Sequence, residues 1–83
     1  MLTVSVISPE RVLYEGDATS VVAPAYDGEV GILTDHAPMM TLLGRGTLRV
    51  EGSGGTQRYS VQGGFLQVLD NKVRVVTEHA QQL

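Results

Sequence analysis

Eighty-three residues with six Lys and Arg against nine Asp and Glu give a formal charge of −3 and a pI near 5.1. Scattered cations in an acidic chain cannot build the clustered footprint that nucleic-acid phosphates require, and the lack of cysteine excludes both a disulfide framework and a thiolate metal site. A hydrophobic fraction of 42% is too high for a disordered chain, so one small domain with a thin core is expected.

The chain opens with Met1-Leu2-Thr3-Val4-Ser5, which lacks the cationic region of a signal peptide, and no apolar run approaches the ~20 residues that span a bilayer. These features read as a soluble intracellular chain. Strands are expected over Leu2 to Ser8, Val12 to Glu15, Thr19 to Ala23 and Gly28 to Leu33, punctuated by Ser8-Pro9, Gly16-Asp17 and Pro24 to Asp27. Pro38-Met39-Met40-Thr41-Leu42-Leu43 could begin a helix with Pro in its first turn, but Gly44 follows after about one and a half turns. A strand or irregular edge is the better reading there.

Alternation is clearest in Thr47-Leu48-Arg49-Val50-Glu51, where Leu48 and Val50 share one face. Gln57-Arg58-Tyr59-Ser60-Val61 repeats the pattern, and Gly52-Ser53-Gly54-Gly55 between them supplies a reversal. No helix start follows these glycines and no Lys-Ser/Thr pair accompanies them, so they do not read as a phosphate loop. Phe65 to Leu69 and Lys72 to Thr77 form a second hairpin across Asp70-Asn71. Many short strands, about eight to ten, without crossover helices predict an all-β fold, an antiparallel sandwich or flattened barrel.

Little here reads as catalytic. His36 and His79 are far apart and lack a ligand pattern, and no metal or other cofactor is expected. Asp35 and His36 are adjacent, so on a strand they point to opposite faces and make a poor base pair. Asp27 and Glu29 could share a face, yet solvated turn charges account for them more simply. The segment Ala25 to Pro38 mixes glycines, charges and apolar groups without settling into alternation. It suits either a recognition loop or a bulged strand whose Val30 and Ile32 feed the core.

Gly28-Glu29-Val30-Gly31-Ile32 followed by His36-Ala37-Pro38 resembles the epsilon subunit family of proton-translocating ATP synthases, whose members carry Gly-Glu-x-Gly-Ile and then His-Ala-Pro. Gly63-Gly64-Phe65-Leu66-Gln67-Val68, Val6-Ile7-Ser8-Pro9 and Gly16-Asp17-Ala18 extend the resemblance over almost the whole sequence. The resemblance implies a non-catalytic rotor subunit, a ten-stranded β-sandwich at the foot of the central stalk that links the gamma shaft to the ring of c subunits. By the same resemblance, Gly28, Glu29, Val30 and Gly31 would lie at a loop facing the ring. His36, Ala37, Pro38, Met40 and Thr41 would lie close to the shaft or the ring, with Met39, Met40 and Leu42 supplying an apolar patch.

The resemblance further implies a peripheral place on the cytoplasmic face of a bacterial plasma membrane, or the stromal face of a thylakoid, without membrane insertion. The sequence stops at Glu78-His79-Ala80-Gln81-Gln82-Leu83, where most members continue into a two-helix hairpin. Residues 1–83 are therefore expected to be the sandwich domain without that hairpin, with neither nucleotide binding nor inhibition of hydrolysis. The rival reading is a free-standing β-sandwich binding module; one Phe, three Tyr and no Trp give it few stacking platforms.

Overall fold

A computed structural model describes residues 1–83, and every regular element in it is a strand. In chain order these are β1 (Leu2–Ile7), β2 (Val12–Ala18), β3 (Ser20–Ala25), β4 (Gly28–Leu33), β5 (Met39–Leu42), β6 (Arg45–Gly52), β7 (Gly55–Leu69) and β8 (Lys72–Gln82). They form one sheet in the order β2-β1-β8-β7-β6-β3-β4, with β5 paired to β7 off that path. Eight strands fall within the expected eight to ten; Gln57 to Val61 and Phe65 to Leu69, read separately in the sequence, are parts of the one 15-residue strand β7, and β8 runs beside it for 11 residues. All pairings are antiparallel except β1 with β8, which is parallel.

The strand β7 changes neighbours midway. Its residues Gly55 to Gln62 pair with β6, whereas Phe65 to Val68 pair with β5, and β8 runs beside both stretches. Gly63 and Gly64 sit between, with φ of 74° and 103°, angles that side chains with a Cβ rarely adopt. A Cβ on Gly64 would collide with the Val76 carbonyl. The two glycines therefore bend a continuous ladder where the sheet turns over onto itself.

The sheet folds almost into a barrel. Thr19 N donates to Glu51 O at 2.7 Å on one side, and Tyr26 N donates to Leu42 O at 3.0 Å on the other. Inside, the period-two pattern places Leu2, Val4 and Val6 of β1 against Val73 and Val75 of β8, Leu66 and Val68 of β7 and Leu48 and Val50 of β6. Tyr59 is the largest fully buried side chain, and its hydroxyl donates to Leu13 O at 3.2 Å across the sandwich. Burial, aided by neighbouring Tyr14, pushes the Tyr59 phenol above its ordinary value of 10.0, so it remains a donor at neutral pH. Thr77 is the one buried polar side chain, and its hydroxyl donates to His79 O at 2.9 Å.

The hairpin tips follow the sequence closely. Asp70 and Asn71 have φ of 50° and 62°, the two left-handed positions of a tight reversal between β7 and β8. Pro38 precedes a strand and not a helix, since Met39–Leu42 pairs residue by residue with Phe65 to Val68.

Candidate functional site

Strand β4 follows the two-residue connection Tyr26-Asp27, and Gly28 enters it at φ 132°. Val30 and Ile32 turn inward against the core, which leaves Glu29, Gly31 and Leu33 on the solvent face. Glu29 stands opposite Pro24 on this strand. It is exposed, as expected, but on an edge strand instead of a loop, because Val30 and Ile32 supply enough buried surface to hold the segment against β3. No atom lies within 4 Å of where a Cβ on Gly31 would be, so the surface beside Glu29 is open.

His36, Ala37 and Pro38 lie at the other end of β4. His36 N donates to Leu33 O at 3.1 Å, and the half-buried ring places Nδ1 2.7 Å from Ala37 O. A carbonyl can only accept, so Nδ1 carries the proton and Nε2 is turned away from this contact. Ala37 and Pro38 are exposed. From Glu29 to Leu33 the extended chain covers about 13 Å at ~3.3 Å per residue. The two groups of expected contact residues are thus separate surfaces.

Strand β5 returns toward Tyr26. Met40 and Leu42 project outward and are 65% and 63% exposed, values high enough that the core cannot explain them. With Tyr26, Thr41 and Phe65 they line a shallow depression of about 400 Å³. Three more apolar residues, Val76, Ile7 and Val12, belong to the same face. Leu42 is in register with Phe65, Phe65 with Val76, Val76 with Ile7 and Ile7 with Val12. These five side chains form one row across β5, β7, β8, β1 and β2, about 19 Å long at ~4.8 Å between strands. Phe65, Val76 and Ile7 are half-buried and Val12 is 55% exposed.

In the next row on this face Met40 is followed by Gln67, Arg74, Ser5 and Glu15, so polarity returns within one step along β7, β8, β1 and β2. A narrow apolar stripe with a polar border has the form of a docking surface, not of a reaction centre. The structure gathers Met40, Thr41 and Leu42 there with Tyr26, Phe65, Val76, Ile7 and Val12. The last five escape sequence reading, since only the pairing register brings them together.

Residues 1–83 match the family description "ATP synthase, Delta/Epsilon chain, beta-sandwich domain". An ATP synthase epsilon chain of Leptospira borgpetersenii is 46% identical over 78 residues, covering 94% of this chain and 61% of the relative. A chloroplastic epsilon chain of Emiliania huxleyi is 36% identical over 81 residues, covering 98% of this chain and 62% of the relative. The chain therefore spans less than two thirds of the length of these curated relatives. A chain in the mitochondrial ATP synthase of Euglena gracilis, solved with OSCP, F1 and c-ring, superposes with a TM-score of 0.89 at 25% identity, over 98% of this chain and 52% of that one. A chain from the central stalk and c-ring of the Tetrahymena thermophila enzyme gives 0.83 at 15% identity, over 96% and 65%, a likeness of fold.

Proposed function

The chain belongs to the delta/epsilon β-sandwich family of ATP synthase, and on that premise we propose that it is a non-catalytic rotor component joining the gamma shaft to the c-ring. The observation that carries the reading is the apolar row from Leu42 to Val12, which lies on the surface beside the expected shaft contacts. A small domain that leaves such a stripe in water has a use for it. The shaft covers the row together with Met40 and Thr41, and His36, Ala37 and Pro38 extend that contact at the far end of β5. The ring meets Gly28, Glu29, Val30 and Gly31 on the edge strand.

Two contacts at separate places on one stiff body suit torque transmission. The 53 backbone hydrogen bonds of the sandwich spread load, and binding at one surface raises the effective concentration at the other. The place of action is the cytoplasmic face of a bacterial plasma membrane, as a peripheral part of the complex. The homologous chloroplastic chain makes the stromal face of a thylakoid the alternative. No helix of the structure is long and apolar enough to cross a membrane.

The ring contact is tested by cross-linking in assembled enzyme. Glu29→Cys is expected to form a disulfide with a cysteine in the polar loop of the c subunit. Because the wild-type charge is exposed, its pairing should be modest and should weaken as salt rises. Silence from both Glu29→Cys and Gly31→Cys, with the subunit bound, would remove β4 from the ring interface.

A further inference from the structure

The tip of the β7–β8 hairpin does more than reverse the chain. Asn71 O accepts from Thr3 N at 2.8 Å, which starts the parallel pairing of β1 with β8. Its side chain reaches across the end of the sandwich to Asp35, 36 residues away in sequence. Asp35 N donates to Asn71 Oδ1 at 2.6 Å, and Asn71 Nδ2 donates to Asp35 Oδ1 at 3.1 Å. Both residues hold left-handed backbones, with φ of 66° at Asp35 and 62° at Asn71, conformations that Asp and Asn tolerate better than other side chains.

This reciprocal pair anchors the segment immediately before His36. Strand β4 ends one side of the sheet, whereas β7 and β8 lie in its middle, so no ladder connects them. Between Leu33 and Met39 the chain is otherwise held by the bond from His36 N to Leu33 O and the contact of the His36 ring with Ala37 O. Without Asn71, His36, Ala37 and Pro38 would sample many arrangements, and a shaft subunit would have to order them on binding.

We propose that Asn71 is a positioning residue for shaft docking: its amide clasps Asp35 and presets the His36-Ala37-Pro38 loop in its binding conformation. The inference rests on the assignment of that loop to the shaft interface. Asn71 acts only through Asp35.

The test uses Asn71→Gly, which deletes the amide while glycine keeps the left-handed turn and the bond to Thr3. Three results are expected: faster hydrogen exchange at the His36 amide, an approximately tenfold loss of affinity for the purified gamma subunit, and unchanged cross-linking through Glu29→Cys. Asp35→Asn retains an Oδ1 acceptor and should bind like wild type. If Asn71→Gly does not fold, Asn71→Asp decides the matter. It keeps the turn but sets a carboxylate against that of Asp35, and should weaken gamma binding at least as much. Wild-type affinity in a folded Asn71 variant whose His36 amide exchanges faster would overturn the positioning role and leave the shaft assignment standing. Failure of the wild-type domain to bind gamma would instead overturn the shaft assignment on which it rests.

Discussion

Gly64→Ala is expected to leave no stable folded domain, with a loss of more than about 4 kcal/mol, which lies in the exceptional range for a single substitution. Two causes act together. The φ of 103° costs an alanine backbone roughly 1–3 kcal/mol, and the new methyl would overlap the Val76 carbonyl and come within 2.7 Å of Thr77 Cα. Relief would require parting β7 from β8, whose register is continuous on both sides of the bend. A domain of 83 residues has roughly 4–12 kcal/mol in total at ~0.05–0.15 kcal/mol per residue, so the variant falls at or below the threshold. Gly28→Ala is the control. Its φ is 132°, but no atom lies within 4 Å of the new methyl, so only the backbone strain of about 1–3 kcal/mol applies. Urea denaturation followed by circular dichroism separates the two. Equal midpoints for Gly64→Ala and wild type would mean that the bend is not fixed by sterics.

Leu42→Asp should retain the native spectrum and weaken gamma binding about 100-fold. The side chain is 63% exposed, so its loss leaves the core intact. In the complex it would be covered, and burying a leucine contributes roughly 1.5–3 kcal/mol, while an unpaired carboxylate in its place adds a desolvation cost. Met40→Asp, on the polar border of the row, should act in the same direction more weakly. Titration of the purified gamma subunit measures both. Unimpaired binding by Leu42→Asp would separate the shaft interface from the apolar row.

The sequence was legible where local chemistry decides structure. Alternation in Thr47 to Glu51 and Gln57 to Val61, with the glycines between them, predicts the β6–β7 hairpin, and Asp70-Asn71 predicts the next. The glycine pair was not legible as a bend inside one strand, because Gly63-Gly64 equally suits an end, and so Gln57 to Val61 and Phe65 to Leu69 read as two strands. Parallel pairing of β1 with β8 leaves the same alternation as antiparallel pairing, so the sequence could not distinguish them. The apolar row depends on registers between strands up to about 69 residues apart in sequence, such as Ile7 with Val76. The clasp of Asp35 with Asn71 is hidden for the same reason, as is the return of Leu42 to Tyr26. Gly28 to Gly31 looked mixed because its outward positions carry Gly and Glu, yet Val30 and Ile32 keep it in the sheet.

If this domain couples ring to shaft, its presence decides whether proton flow drives synthesis. Membranes carrying the cognate ATP synthase, stripped of the endogenous subunit, should regain proton-driven ATP synthesis when this polypeptide is added, saturating as one domain binds each enzyme. Synthesis that stays absent although the domain binds at full occupancy would rule out a coupling role, since a rotor link that occupies its place must carry torque.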